Sequence, residues 1–374
     1  MNTKKTNGYS RLLVIFLVSV ILIFAVGIVA DGWQQSDPES PTDESNGESA
    51  NNNSDKADEN KDPSGVDTEE QEPEVYIPKY IDPLTGIETT EILSTKRHSA
   101  FIFDSSSPLY GISSAAMLIE VPIENGETRL IAFINDHKDL GKIGSLSGAR
   151  DYIAKVASYF CDAVVCFGKE YNDTQTNNLS VIDLSTLKGA HYTEYNTFSY
   201  TNGSLLLNAF HSVNYSDSYL NTKTLPYVFP DYTADKILFE KKASSVILPY
   251  SDITSTELIY SEIDGKYTFV KGGSIRPDLL NSEVCKYDNC IVLFSDTVTY
   301  ETEDGNSMQL ITTGSGKGYY FTEGTYVEIT YYVNDGGDLS FNNKNGEKLT
   351  INRGKTYIGY LKSSVYKSFS ESIR

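Results

Sequence analysis

Basic residues are scarce in this chain. It has 31 Lys and Arg against 51 Asp and Glu in 374 residues, a net charge of −20. There is no basic patch, and without one a nucleic-acid partner is excluded as a reading. Histidine is scarce too. The four, His98, His137, His191 and His211, show no metal-ligand spacing. No cysteine lies near the end of the one long apolar run, which excludes a lipid-modified cysteine there.

The four cysteines form two C-x4-C pairs, Cys161/Cys166 and Cys285/Cys290. Lys286–Asn289 is turn-like, so Cys285 and Cys290 are the disulfide candidate. If 161–167 is a strand, five residues span about 17 Å, too far for a disulfide, and buried free thiols are expected. A four-cysteine zinc site stays open only weakly, since x4 spacing is loose and no histidine is close. No cofactor is implied.

The charge is unevenly spread. Residues 1–11 are polar and basic, with Lys4, Lys5 and Arg11. Leu12 to Ala30 is uncharged and mostly apolar. Nineteen residues at 1.5 Å each span roughly 28 Å, close to a bilayer core. With the positive charges ahead of it, the run reads as a transmembrane signal-anchor with a cytoplasmic tail at 1–11. A cleaved signal peptide is the rival, with a long apolar region and a poor cleavage site at Ile28-Val29-Ala30. Residues 31–74 carry fifteen Asp and Glu against two Lys. They are almost free of large apolar residues and read as a disordered acidic linker.

The remainder suits two domains. The expected fold is α+β: an N-terminal mixed α/β-sheet domain at 75–235, then a small, mostly antiparallel β domain at 236–361. A polar tail at 362–374 is expected to fray. Tyrosine is abundant, 27 in all, which suits strand packing. Asp82–Gly86 reads as a turn, and Ser99–Asp104 as a strand. Asp162–Phe167 and Ser180–Leu184 read as further strands, and Ser204–Val213 as a helix capped by its serine. Tyr260–Val270 reads as a hairpin about Asp264-Gly265. Further strands are expected near 290–299, 307–313, 318–323, 326–333 and 356–361.

Residues 115–150 are the most informative. Asn125-Gly126 suits a type I′ hairpin turn. A two-residue loop would set 122 opposite 129 and 120 opposite 131. Ile119, Val121, Ile123, Leu130, Ala132 and Ile134 would then form a core face. Glu120, Glu124, Glu127 and Arg129 would share the other, with Arg129 diagonal to Glu120. Ser145 or Ser147 would cap a helix running to about Phe160. Arg150 would then fall in its first turn, where a cation opposes the helix dipole and calls for an anion nearby. That anion is either the acidic hairpin face or an external carboxylate or phosphate held by Arg150 and Ser147. Asp104, Asp136 and His137 sit at strand ends and read as solvated loop residues.

Two motifs mislead. Gly314-Ser-Gly-Lys-Gly318 departs from a phosphate loop at Ile311 and Gly318 and reads as a sheet turn or bulge. Gly144–Gly148 has Leu146 where a nucleophile elbow needs serine.

The chain resembles the YerB family of lipoproteins, found mainly in Gram-positive bacteria. The resemblance rests on Asp82–Ile87, Glu120–Arg129 continuing to Ile134, Ile143–Arg150 and Gly314–Tyr320. It implies an exported, membrane-tethered protein with paired N- and C-terminal domains of unknown function, and it keeps Glu120, Arg129 and Arg150. The family's lipid-modified cysteine is replaced here by the apolar run. Its basic, Gln-containing loop is replaced by Asp104–Gly111. A non-catalytic binding module of the cell envelope is the leading expectation. Its site would be Arg129, Arg150, Glu120, Ser147 and Asp104, and its partner a wall polymer or a membrane-bound envelope protein. A glycan- or peptide-acting hydrolase using Glu120, Asp104 or Asp136 is the alternative. The full chain is expected to sediment with membranes in high salt and to need detergent for release. Deletion of 12–30 should free it, and sedimentation of the deleted form would refute the anchor.

Overall fold

A computed structural model describes residues 76–374, apart from 171–178, 190, 219–222, 303–304 and 335. The apolar run, the acidic linker and the basic tail therefore lie outside the described residues. Among those described, no helix is long and apolar enough to cross a membrane. Helices are few and strands dominate, as befits a β-rich domain pair.

The N-terminal segment supplies β1 (Ser99–Asp104), β2 (Met117–Pro122), β3 (Thr128–Phe133), β4 (Ile143–Leu146), β5 (Ala163–Cys166), β6 (Ser180–Asp183) and β7 (Phe198–Thr201). The two longer α-helices of this segment are α1 (Asp151–Ser158) and α2 (Gly203–Ser212). The C-terminal segment supplies β8 (Ser245–Pro249), β9 (Ser255–Ser261), β10 (Lys266–Lys271), β11 (Asn289–Ser295), β12 (Gly314–Thr322), β13 (Thr325–Val333) and β14 (Thr356–Lys362).

One large sheet runs through both segments, in the order β13-β12-β11-β14-β2-β3-β1-β4-β7. Its join is β14, which lies parallel to β2 on one side and to β11 on the other. β5 and β6 branch from β1 as parallel neighbours. A second sheet, built on β8-β9-β10, packs against one face of the first. α1 packs against the opposite face.

The central strands are therefore buried on both sides. Phe101, Phe103, Leu118, Leu130 and Ala132 face the second sheet with Leu248, Leu258 and Phe269. Ile102, Ile119, Val121, Ile131 and Phe133 face α1 with Tyr152, Ile153 and Val156. This corrects the expectation of one apolar and one acidic hairpin face. The turn itself forms, with Asn125 and Gly126 both at positive φ and the Glu127 N–H bonded to the Glu124 carbonyl. One extra residue, Glu124, bulges before it, and Ile123 pairs with Glu127. The bulge moves the register by one, so Glu120 stands opposite Leu130 and Val121 opposite Arg129. A shift of one swaps the faces of one strand relative to the other. Glu120 and Arg129 thus point to opposite sides of the sheet.

Other expectations shift less. α1 begins at Asp151 with Arg150 as its N-cap residue, because Ser145 belongs to β4 and Ser147 follows it. α2 is capped by the Asn202 side chain on the Leu205 N–H at 2.9 Å, not by Ser204. Gly314–Gly318 opens β12 as strand; a side chain at Gly316 would collide with the Tyr331 ring. The tail does not fray. Phe369 is fully buried, and Arg374 exchanges backbone hydrogen bonds with Ser245. Cys285 and Cys290 are free thiols. The chain crosses between sheets there: Lys286–Tyr287 pairs with β10, while Cys290 belongs to β11. Burial pushes the Cys285 thiol up to about 12.

At the junction of the two sheets sits a buried ion pair, Glu120 on β2 with Lys271 on β10. Glu120 is 0% exposed and Lys271 8%. Oε1 accepts from Lys271 Nζ and from Thr128 Oγ1 at 2.7 Å. Oε2 accepts from Thr256 Oγ1 at 2.7 Å and the Tyr357 hydroxyl at 2.6 Å. Lys271 also reaches Thr128 Oγ1 at 2.8 Å. Tyr250 extends the network to Tyr357 at 3.1 Å. Gly359 stands opposite Glu120 on β14, and a side chain there would strike Leu248 and the Tyr250 hydroxyl. Glu120→Ala should destabilise the fold by about 3–5 kcal/mol, because it strands a buried ammonium. The double change to Glu120→Met with Lys271→Met should be less harmful than either single one, as read by urea midpoints. A neutral Glu120→Ala would show the pair to be dispensable.

Candidate functional site

The polar corner expected from the sequence is assembled at one end of the hairpin, where β1 ends, β3 begins and α1 starts. The register sets Asp104 directly across from Arg129. Arg129 Nη1 lies 3.6 Å from Asp104 Oδ1 and 3.5 Å from the Thr128 carbonyl. Asp104 Oδ1 also accepts from the Ser106 N–H at 3.1 Å and the Ser106 hydroxyl at 2.8 Å. Burial raises the Asp104 carboxyl, but these hydrogen bonds and Arg129 outweigh it and keep it below the usual carboxylate range.

Arg150 forms a two-pronged ion pair with Glu124, the bulged residue of the hairpin. This answers the cation at the helix start: the opposing anion is internal. The guanidinium holds the Glu124 carboxyl below its ordinary range, and Arg129 adds to the effect. Tyr152, the second residue of α1, donates to the Pro122 carbonyl at 2.8 Å and fixes the helix to the end of β2. Both pairs keep some contact with solvent; the side chains are 19% and 30% exposed for Arg129 and Asp104, 15% and 21% for Arg150 and Glu124.

The structure thus brings together Asp104, Arg129 and Arg150 from the expected set, and adds Glu124 and Tyr152. Ser147 is beside them through its backbone, donating to the Ile102 carbonyl at 2.8 Å and accepting from the Phe167 N–H at 2.9 Å. Glu120 is not part of the corner. Its partners Lys271, Thr256 and Tyr357 were not singled out from the sequence. A signal existed: Tyr267, Phe269 and Lys271 fall on one phase of a strand, with the first two plainly apolar.

Asp136 is exposed, as expected of a loop residue, but His137 is not. His137 is buried, with Nε2 at 3.0 Å from Asp217 Oδ2. Lys96 Nζ lies 2.9 Å from the same oxygen and 2.9 Å from the Asn135 carbonyl. Burial lowers the His137 imidazole, so it stays neutral at pH 7, against the pull of Asp217. Burial raises Asp217, but hydrogen bonds from His137 and Lys96 bring it down to about 2. The signs set two windows. The lowered imidazole makes the unfolded chain the stronger proton acceptor below its ordinary value of 6.5, so stability falls as pH drops past there. The lowered carboxylate stabilises above its ordinary value of 3.8, and that contribution fades as pH falls towards about 2. Asp217→Asn should be less stable at pH 7 and should show a shallower loss of urea midpoint between those two values. An unchanged slope would remove Asp217 from the acid response.

No curated protein matches the chain. Family models for a protein of unknown function, DUF3048, match twice: its N-terminal domain over residues 84–224 and its C-terminal domain over residues 246–358. Among solved structures, the crystal structure of the YerB protein from Bacillus subtilis matches at 20% identity with a TM-score of 0.63. The match covers 76% of this chain and 97% of that one. At that identity the likeness speaks for the fold. The continuous sheet built from both segments and the paired model matches agree, and the chain belongs to the YerB-like family of paired DUF3048 domains.

Proposed function

We propose that the protein is a non-catalytic binding module of the bacterial cell envelope. It is anchored by residues 12–30, displayed on the acidic linker, and engages a wall polymer or a membrane-bound partner of wall synthesis. The address rests on the uncharged apolar run behind Lys4, Lys5 and Arg11. The observation that carries the binding role is the corner made by Asp104–Arg129 and Glu124–Arg150. Two carboxylates and two guanidiniums meet there, partly exposed, on strand ends and a helix start held rigid by the core. Arginine forks exchange one carboxylate for another with little reorganisation, which suits polar recognition.

The hydrolase reading loses support from the same geometry. A general acid needs a carboxyl that can reach substrate and hold a proton near neutral pH. Glu120 is enclosed, with two donors on each oxygen. Asp104 is held ionised by Ser106 and Arg129.

The test is retention of the full chain on purified wall material and on membrane extract. Arg129→Ala should lower affinity about tenfold, equivalent to about 1.4 kcal/mol, with little change in urea midpoint. Retention on neither material overturns the binding role. Retention indifferent to Arg129 moves the contact away from this corner.

A further inference from the structure

A second surface lies at the other end of α1. Lys155 from that helix and Tyr159 at its C-cap, Lys223 from the segment after α2, and Gly337, Ser340 and Lys348 from the chain after β13 enclose a cavity of about 590 Å³, with Asp162 and Asp338 among its lining. A neighbouring cavity of about 470 Å³ shares Lys155 and Gly337 and extends past Gly314 and Tyr332. Lys155 and Gly337 line both, so the two cavities adjoin at the Lys155 side chain. Gly337 lets it pass: a side chain there would come within 2.8 Å of Lys155 Nζ.

The charges in the groove are not balanced as they are in the arginine corner. Lys223 Nζ donates to the Ser158 carbonyl at 3.1 Å, at the helix C-terminus, and lies 3.7 Å from Asp162. Asp162 is also approached by Arg97 at 3.9 Å. Asp338 is tied into its own turn by Asn334 at 3.1 Å. Among the described residues Lys155 has no carboxylate within ion-pair distance; its Nζ stands 5.3 Å from the Tyr159 ring centre. Burial and the neighbouring Lys223 lower the Lys155 ammonium, and the pull of Asp338 in the same cavity does not offset them. Lys348 is exposed on the groove's rim.

Three ammonium groups around an open-ended groove suit separated single negative charges better than one compact polyanion. Lysine offers a rotatable point charge rather than a planar fork, so it accepts a phosphodiester as readily as a carboxylate. Serine, asparagine and backbone groups along the walls supply hydrogen bonds for hydroxyls between the charges. We propose that this groove binds an extended polymer bearing one negative charge per repeat, with hydroxylated units between, seated across Lys155 with Lys223 and Lys348 on its flanks. The proposal rests on the binding-module reading and gives its ligand a chemical class. It uses a surface separate from the arginine corner.

The test titrates the full chain with two probes, an oligomer of glycerol phosphate and an oligogalacturonate, at about 0.15 M salt where only short-range charge contacts survive. Binding to either or both supports the groove if Lys155→Ala together with Lys348→Ala weakens it at least tenfold at an unchanged urea midpoint. The preferred probe identifies phosphate or carboxylate as the charge. Lys155→Arg should retain most of the affinity. Binding of neither probe, or binding indifferent to the lysine changes, overturns the proposal. The failures separate: wall retention that survives the lysine changes but needs Arg129 sinks the groove and leaves the module. Probe binding without retention on wall or membrane material does the reverse.

Discussion

The fold depends on a carboxylate that has no access to water. Glu120 sits in a strand buried along its whole length, and its charge is tolerable only because Lys271, Thr128, Thr256 and Tyr357 close on it. Four of the six network residues, counting Tyr250, come from the second segment. An ion pair of this kind contributes little net stability against apolar replacements, but half of it is intolerable. It therefore acts as a condition on assembly: the second sheet must dock with Lys271 over β2, in one register, or both charges are stranded. The two segments that the family models treat as separate share this constraint and share the sheet through β14.

The same constraint frees the arginines. Once the hairpin bulge turns Glu120 inward, Arg129 faces the other side and meets Asp104, and Glu124 is left at the turn to receive Arg150. Charges that the local sequence would pair with one another are sorted onto two faces. The buried face becomes structural and the rim remains available for recognition. Helix α1 links the two candidate surfaces, with the paired corner at its first turn and Lys155 in its last.

Much of the local structure was legible. Strand Ser99–Asp104 follows from its apolar run, and the Asp264-Gly265 hairpin from its turn chemistry. Asn125-Gly126 does take the expected positive φ values. The register failed because a bulge of one residue leaves no mark in the hydrophobic pattern when both faces of the strand are buried. Alternation can fix register only where one face is wet. The helix start failed for a related reason: Ser145 lies in β4 and donates its hydroxyl to the Pro108 carbonyl of the β1–β2 loop at 2.8 Å, so the chain has no use for it as a cap.

The sequence by itself determined the composition classes, the β-rich character, the turns, and the rule that a cation at Arg150 must find an anion. These depend on residues close together in the chain, where geometry is set by the backbone. Only the tertiary structure decided that the anion is Glu124, that Glu120 is a buried clamp for Lys271, and that three lysines share a groove. The cluster around Glu120 alone joins residues up to 237 positions apart. Such pairings are selected by the long-range docking of strands, which no short-range pattern encodes.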